Sequence, residues 1–435
     1  MRAPGVVCWG LALALVVVWT GNPALAKTEL EFWHGQGGDT GQRLGELAER
    51  FNASQADYEV KPLYNRAGGS VLPAVIAAYR AKRPPHLALL SDSATEIMLR
   101  SGAAVPVARL MREQGGALEG GSFLEPVKAC YLKDNQLHAF PLAPSSHVLY
   151  YNKDVFRRAG LDPGRAPSTF DEIEAAATRV VAAGAAKCGF TSGSPAVVLE
   201  IVHAWHGQPL ADREDGTAGL STTLLFNGEL GIRFWDTLIR WQRAGLYVYG
   251  GRARQAELLF TGGQCAMVIG GGSLNSSLEL RKIDWGVGPV PRFAGYPRGG
   301  SIVGGSALWV LEGHGPAEYR GVARFLEFTA RVDQQAWWYR ATGYLPASHE
   351  VLRRLQTEGW LARHPSYAAT LTQISGGEGQ GVGRCFRVGN LGAIRDTIEV
   401  EFEAVLSGRK TAKAGLDDAV RRGNELLKDF ADTYR

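Results

Sequence analysis

Apolar and polar positions in the first part of the chain follow a repeating rhythm of strands and helices. Strands are predicted where apolar residues alternate or form short runs, and helices where apolar residues recur three and four positions apart. In order, the predicted elements are a strand at Leu30–Trp33, a helix at Gly41–Asn52, a strand at Tyr58–Tyr64, a helix at Val71–Ala81 and a buried strand at Leu87–Leu90. This β–α–β–α–β order predicts a parallel sheet with right-handed crossovers.

The second part of the chain repeats the rhythm with longer helices. Three strands are predicted at Lys187–Thr191, Cys265–Ile269 and Trp285–Val290. Six helices are predicted at Phe170–Ala183, Gly231–Ala244, Pro316–Arg331, Asp333–Ala341, Ile394–Leu406 and Leu416–Tyr434. Ser168 or Thr169 can cap the first of these helices. The pattern predicts an α/β protein, and its length predicts two domains or lobes.

The N-terminal residues carry the features of a secretory signal. Arg2 precedes an apolar run at residues 6–19, and Ala24 and Ala26 form the small-residue pattern that precedes cleavage before Lys27. A membrane anchor is the alternative, but the apolar run is shorter than the ~20 residues needed to span a bilayer. We therefore expect residues 1–26 to be a signal peptide and the mature protein to be periplasmic.

Charge and motif content exclude several classes of function. The formal net charge is +4, without a Lys/Arg block, which argues against nucleic acid or an anionic membrane as a partner. This small excess favours an anionic ligand only weakly. Neither an HExxH nor a GxSxG motif occurs. We therefore expect a protein that is not an enzyme and has no catalytic residue, no metal site and no cofactor.

Four cysteines follow the predicted signal peptide, namely Cys130, Cys188, Cys265 and Cys385. They form no CxxC motif and no Cys/His cluster, so a zinc site is not predicted. An exported protein can form disulfides, but the wide spacing permits three pairings and selects none. Buried free thiols are the other interpretation.

The segment Pro141–Pro163 (PLAPSSHVLYYNKDVFRRAGLDP) is the most informative part of the chain. A small polar loop precedes two apolar residues and Tyr-Asn, and an amphipathic turn at Lys153–Ala159 follows. This order resembles the signature of family 1 extracellular solute-binding proteins of ABC importers. Arg158 departs from the signature, which prefers an amide, an acid or lysine there.

Further blocks extend the resemblance over nearly the whole mature chain, toward the branch of that family that binds sn-glycerol-3-phosphate in the periplasm. These blocks are Phe32–His34, Ala48–Asn52, Lys187–Gly189, Gln264–Met267, Gly286–Gly288, Gly304–Val310, Thr342–Pro346, Arg387–Asn390 and Arg421–Leu427. Their number and order make the signal strong, where a single block would be weak.

The resemblance implies a two-lobed periplasmic binding protein fold. Each lobe would be a mostly parallel sheet flanked by helices, with residues 27–141 and 292–343 in lobe 1 and residues 142–291 and 344–435 in lobe 2. The hinge crossings would lie near Pro141–Pro144, Val290–Arg292 and Gly343–Pro346, where Pro or Gly suits a bend.

The implied function is that of the receptor of an ABC importer. Such a protein would capture sn-glycerol-3-phosphate or a glycerophosphodiester such as glycerophosphocholine between its lobes. It would deliver the ligand to a membrane permease with its ATPase, and it would act as a monomer. The alternative is a binding protein of the same fold for an uncharged sugar or oligosaccharide.

Five residues match the family's ligand contacts: Asp92, Ser145, Gly305, Tyr344 and Arg395. The Arg395 guanidinium is a planar fork that suits phosphate oxygens, whereas the Asp92 carboxylate suits glycerol hydroxyls. Taken singly, each has a plainer interpretation: a solvated arginine, a core tyrosine or a helix-capping aspartate. The resemblance is what selects these positions.

Three departures from the family pattern widen the expected pocket. Gly68 occupies the position of a phosphate-binding tyrosine, the turn Ser192–Val197 lacks the family's tryptophans, and the glycine loop is altered around Gly271, whose backbone is expected to contact the ligand. A bulkier glycerophosphodiester, another polyol phosphate or a sugar could fill the added space. His147 and Trp205 could reshape the pocket, although hinge packing and core packing are their plainer roles.

Overall fold

The computed structural model describes Met1 and residues 27–65, 70–116, 118, 122–252, 255–375 and 384–434. The predicted signal peptide, apart from Met1, and Gly68 lie outside the described residues. Among the helices in these ranges, none is both long enough and apolar enough to cross a bilayer.

The elements of the first segment, residues 28–145, agree with the predicted alternation of strands and helices. They are β1 (Thr28–His34), α1 (Gly38–Ser54), β2 (Tyr58–Tyr64), α2 (Leu72–Arg80), β3 (Leu87–Ser91), α3 (Thr95–Arg100), β4 (Ala104–Val105), α4 (Val107–Glu113), α5 (Glu125–Lys128), β5 (Leu132–Lys133), β6 (Gln136–Leu137) and β7 (Phe140–Ser145). A 3₁₀ turn, Asp92–Ala94, lies between β3 and α3.

The remaining elements lie in a second segment, residues 147–288, and a third segment, residues 304–434. The second comprises β8 (His147–Asn152), α6 (Lys153–Arg158), α7 (Phe170–Ala182), β9 (Cys188–Ser192), α8 (Pro195–Trp205), α9 (Asp212–Asp215), α10 (Glu229–Arg243), α11 (Gln255–Thr261), β10 (Cys265–Gly271), α12 (Leu274–Leu280) and β11 (Trp285–Gly288). The third comprises β12 (Gly304–Leu311), α13 (Pro316–Ala330), α14 (Val332–Thr342), α15 (His349–Thr357), α16 (Trp360–Arg363), α17 (Pro365–Ile374), α18 (Leu391–Leu406) and α19 (Ala412–Tyr434).

The first sheet has the strand order β2-β1-β3-β12-β4, with β7 also paired to β12. Strand β1 runs parallel to β2 and β3, which confirms the parallel sheet predicted for the first three strands. Strand β12 runs antiparallel to β3, β4 and β7. The first lobe is therefore built on a mixed sheet.

The second sheet has the order β11-β8-β10-β9, and only the β9–β10 pair is parallel. The prediction that each lobe contains a mostly parallel sheet was therefore wrong. Parallel neighbours need a crossover connection, usually a helix, within the same lobe. Strands β8 and β12 reach their sheets from the other lobe, so no local crossover makes them run parallel to their neighbours.

Two large hydrophobic cores correspond to the two lobes, one around the first sheet and one around the helices that cover the second. Residues Leu345, Val351 and Tyr367 are buried in the first core, not in the second. Since α17 is the last helix of that core, we place the third crossing after Ile374, later than the expected position near Gly343–Pro346.

Local signals set two helix starts, and the first of them is one of the two predicted caps. The Thr169 side chain caps α7 by accepting a hydrogen bond from the Glu172 backbone N–H at 3.1 Å. The Asn152 side chain caps α6 by accepting from the Val155 N–H at 3.0 Å. Such caps satisfy backbone donors that a helix leaves unpaired at its N-terminus.

Two disulfides join cysteines that are far apart in sequence. Cys130 pairs with Cys385 across 255 residues, and Cys188 pairs with Cys265 across 77 residues. The first disulfide fastens the segment that leads into α18 to the first lobe. The second ties β9 to β10 within the second lobe, where the two residues are register partners.

Candidate functional site

A cavity of about 270 Å³ lies between the two cores. From the first lobe it is lined by Gln36, Ser91, Asp92, Ser145, Gly304, Gly305, Ser306 and Tyr344, and from the second by His147, Val197, Glu200, Ile201, Glu257, Gly271, Ser273 and Arg395, with Ile302 on the connection between them. Its volume is near the lower end of the roughly 300–1,000 Å³ common for small-molecule sites. The size suits one small molecule.

The structure brings together six of the seven residues predicted from the sequence. Asp92, Ser145, Gly305 and Tyr344 line the cavity from the first lobe. Gly271 and Arg395 line it from the second lobe. The seventh, Gly68, lies outside the described residues. That these residues contact a ligand remains a prediction, but their convergence on one cavity agrees with it.

Arg395 extends from the first turns of α18 into this cavity and forms two bidentate pairs. Its Nη1 and Nη2 donate to the Asp92 carboxylate at 3.0 and 2.9 Å. Its Nε and Nη2 donate to the Glu200 carboxylate, both at 2.8 Å. The planar guanidinium suits such forks, and each fixes its orientation. The plainer interpretation of Arg395 as a solvated helix-face residue is therefore wrong.

Burial makes this ion cluster electrostatically strong. The side chains of Arg395, Asp92 and Glu200 are 16%, 13% and 2% exposed. Burial alone would lower the pKa of Arg395, but the charges and hydrogen bonds of the two carboxylates outweigh it and raise that pKa well above its ordinary value. Burial raises the pKa of Glu200, although Arg395 opposes the rise. The guanidinium therefore remains charged, which any anion in the cavity requires.

Sequence reasoning missed Glu200. It lies in α8, within the run Val197–Trp205, where it is the only residue with a formal charge besides the ionisable His203. A carboxylate inside an apolar helix is expected to need a partner, because an unpaired buried charge is strongly unfavourable. That pattern was readable in the sequence, but nothing in it identified Arg395 as the partner 195 residues away.

Asp92 reaches the cavity because it follows the carboxyl end of β3, where ligand sites of open α/β sheets lie. Its Oδ1 also accepts from the Ser93 backbone N–H at 3.0 Å. A Cβ on the adjacent Gly304 would lie 2.6 Å from Asp92 Oδ2, so glycine there lets the carboxylate keep the position in which it pairs with Arg395.

Gly305 adopts a backbone conformation that only glycine tolerates well. Its φ is +103°, and a Cβ there would lie 2.8 Å from the Ser145 backbone N and closer still to the Ala143 carbonyl oxygen. Gly305 is the register partner of Pro144 on β7, next to Ser145. The close approach of β7 and β12 therefore shapes this wall of the cavity.

We expect Gly305→Ala to lower the free energy of unfolding by about 3 kcal/mol, because it adds backbone strain and a clash with fixed backbone atoms. Thermal and urea melts would measure the loss. The control is Gly45→Ala in α1, where a Cβ meets nothing within 4 Å. That variant should be neutral or slightly more stable. Equal melting of both variants would contradict the assigned strain.

Tyr344 lies where the two lobes approach each other closely. Its ring stacks on Trp338 with centroids 6.3 Å apart, and the residue is 7% exposed, so the core interpretation is partly correct. The preceding Gly343 has a φ of +74°, and a Cβ there would lie 2.6 Å from the Gly272 carbonyl oxygen of the second lobe. Paired glycines therefore bring both loops to the cavity.

The wall that replaces the family's tryptophans is aliphatic. Ser194 caps α8 and Pro195 begins it, so Val197 and Ile201 face the cavity from the first turns of this helix. His147 also lines the cavity. Its burial and then the Arg395 charge lower its pKa to about 4, so its ring is neutral near pH 7. Trp205 is 2% exposed in the second core.

A second group of ionisable residues lies elsewhere in the first lobe. The ligand atoms of His86, His314 and Glu318 lie within 4.8 Å of one another. The two imidazole rings are stacked with centroids 4.0 Å apart, and both His86 nitrogens have partners, Nδ1 the Glu31 backbone N–H and Nε2 the Glu318 carboxylate. Glu318 accepts from the Gly315 N–H and contacts His86, which is a helix-capping arrangement for α13.

Comparison with known proteins agrees with this architecture. Residues 46–369 match the family described as bacterial extracellular solute-binding protein. The sn-glycerol-3-phosphate-binding periplasmic protein UgpB of Brucella abortus (strain 2308) is 34% identical over 419 residues, which cover 96% of each chain.

Two solved structures show the same two-lobed fold. UgpB from Mycobacterium tuberculosis in complex with glycerophosphocholine has a TM-score of 0.77 at 19% identity, covering 93% of this chain and 99% of that one. The ABC substrate-binding protein Lmo0181 from Listeria monocytogenes in complex with cycloalternan has a TM-score of 0.76 at 18% identity, covering 93% and 100%. The predicted two-lobed fold is thus confirmed.

Proposed function

This chain belongs to the bacterial extracellular solute-binding proteins, and on that premise we propose that it captures sn-glycerol-3-phosphate or a glycerophosphodiester for an ABC importer. The observation that carries the proposal is the guanidinium of Arg395 at the inter-lobe cavity. The relatives that match nearly the whole chain at 34% identity are named for binding sn-glycerol-3-phosphate in the periplasm. Since these relatives are periplasmic proteins, we assign this chain to the periplasm.

The cavity offers complementary groups for the two ends of such a ligand. A phosphate oxygen can take the Arg395 edge that now pairs with Asp92, while Ser145 and the backbone around Gly271 and Gly305 complete the oxygen shell. Displaced from Arg395, Asp92 can accept hydrogen bonds from glycerol hydroxyls. Hydrogen bonds to charged groups contribute roughly 1.5–3 kcal/mol each, so this exchange can be favourable.

Ligand capture would be coupled to a hinge motion. Asp92 belongs to the first lobe, whereas Arg395 and Glu200 pack with the second, so the Asp92–Arg395 pair spans the cleft. A ligand that contacts both lobes favours the closed state because those contacts exist only there. The closed receptor would then dock on permease subunits and release the ligand without making or breaking covalent bonds.

An uncharged sugar is the second candidate, and one observation favours it. Arg395 is already paired with two carboxylates, and hydroxyl groups could bind the acidic lining without displacing either. The sugar-binding neighbours, however, are only 16–19% identical and so establish the fold alone. The glycerophosphate proposal rests on the much closer relatives.

Calorimetric titration distinguishes the two candidates. The mature protein would be titrated with sn-glycerol-3-phosphate, glycerophosphocholine, maltose and maltotriose. We expect heat and a raised melting temperature with at least one glycerophosphate compound, because a ligand bound only by the native state stabilises it. Recovery of the ligand unchanged after incubation would agree with transport without catalysis. Binding of the sugars alone would discard the glycerophosphate proposal.

A further inference from the structure

The described ionisable residues that line the cavity are mostly acidic, whereas a phosphate site would be expected to be basic. Among the described residues that line it, Asp92, Glu200 and Glu257 carry carboxylates and Arg395 alone carries a guanidinium. Within the contacting group of Asp92, Glu200 and Arg395, one formal negative charge remains when all three are ionised. A ligand with a doubly charged phosphate therefore enters an unfavourable field, and a singly charged phosphate is penalised less.

The hydrogen bonds of Arg395 show where a ligand phosphate would compete with the two carboxylates. A guanidinium has five N–H groups. The forks to Asp92 and Glu200 use four of them, which leaves one on Nη1 outside these pairs. A phosphate can accept two hydrogen bonds from Arg395 only if one carboxylate gives way.

The two carboxylates differ in how easily they can give way. Asp92 approaches Arg395 across the cleft from the turn after β3, so opening of the lobes separates the two. Glu200 lies on α8, which packs against α18 within the second lobe, and its side chain is 2% exposed. Lobe movement carries Glu200 and Arg395 together, so Glu200 stays beside the guanidinium when a ligand binds.

We propose that Glu200 determines the charge selectivity of this receptor, favouring singly charged glycerophosphodiesters over the doubly charged phosphate monoester. It holds the Nε edge of Arg395, so the ligand phosphate receives the edge vacated by Asp92. Its retained negative charge then repels each additional charge on that phosphate. This inference rests on the proposed function and narrows its ligand class.

A matched series of ligands separates charge from head-group size. The series contains sn-glycerol-3-phosphate, its methyl diester and glycerophosphocholine. The second phosphate ionisation of a monoester has a pKa of about 6, so at pH 7.5 the monoester carries nearly two charges and the diesters carry one on phosphate. Wild-type protein is expected to bind the methyl diester at least about tenfold more tightly than the monoester, which is ~1.4 kcal/mol.

The Glu200→Gln variant tests the residue itself. It removes one charge while an amide oxygen can still accept from Arg395. We expect the ratio of monoester to methyl-diester dissociation constants to fall about tenfold relative to wild type. Glu401→Gln is the matched control: Glu401 is also buried on the second lobe, in α18, but it pairs with Lys410 and Arg422 and does not line the cavity.

Each outcome decides the inference. An unchanged ratio in Glu200→Gln, or the same shift in Glu401→Gln, would overturn it. Should Glu200→Gln fail to fold, wild-type binding of the monoester as tightly as the methyl diester would overturn it equally. Absence of binding to all three compounds would instead contradict the proposed function, so the two failures are distinguishable.

Discussion

Replacing Arg395 with alanine is expected to weaken binding of a glycerophosphate ligand by at least about a hundredfold, or ~2.7 kcal/mol. The variant loses the fork of N–H groups that would donate to phosphate oxygens. It also leaves the carboxylates of Asp92 and Glu200 in one buried site without the cation that both contact. Removing one partner of a buried ion pair is strongly unfavourable because the other charge stays buried without a counter-charge.

Three further variants sharpen this prediction. Arg395→Lys keeps the charge but not the planar fork, so it should recover only part of the affinity. Ser145→Ala removes one neutral hydroxyl and should weaken binding only about fivefold, since a neutral hydrogen bond contributes roughly 1 kcal/mol. Arg422→Ala removes a more exposed arginine of α19 that pairs with Glu401 and should leave binding unchanged. Titration calorimetry would measure all four variants, and Arg395→Ala binding within threefold of wild type would contradict the assigned role.

Removing the Cys130–Cys385 disulfide is expected to produce the largest loss of stability. It closes a loop of 255 residues, and the chain-entropy model assigns such a loop roughly 5 kcal/mol, of which about 2–5 kcal/mol is usually measured. The double variant Cys130→Ala, Cys385→Ala avoids a free thiol. Urea denaturation followed by tryptophan fluorescence should show a clearly lower midpoint.

The other disulfide provides a matched comparison. Cys188–Cys265 spans only 77 residues within one lobe, so its removal should reduce stability by about 1 kcal/mol less in the same model. If each variant unfolds in a single transition with a lowered midpoint, unfolding of the two lobes is coupled. Denaturation of the Cys130 and Cys385 variant at the wild-type midpoint would rule out a stabilising role for this disulfide.

The segment that precedes α18 contributes both to the position of Arg395 and to stability. Arg387 is 8% exposed, and it donates to the carbonyl oxygens of Leu132 in the first lobe and Thr217 in the second at 2.8 and 3.3 Å. It also pairs with Glu96 at 3.2 Å. Together with the disulfide at Cys385, these contacts fix the chain on both sides of the cleft just before it reaches Arg395.

The sequence alone was sufficient for local structure and for most of the predicted site residues that the structure brings to one cavity. Residues 58–64 were predicted to be a strand and are one, and of the two predicted caps, Ser168 or Thr169, Thr169 caps the helix. Periodicity and capping depend on neighbouring residues, so they can be read without knowing the fold. Block resemblance then selected Asp92 and Arg395, which the structure places in contact.

Only the tertiary structure decided the features that depend on distant parts of the chain. It joined Cys130 to Cys385, made both sheets mixed, and kept residues 344–374 in the first core. It also placed Glu200 beside Arg395, 195 positions away, so that two carboxylates share one guanidinium. Cysteine pairing, strand direction and the charges around a cavity depend on which segments come together in space. Local sequence patterns do not specify those long-range contacts.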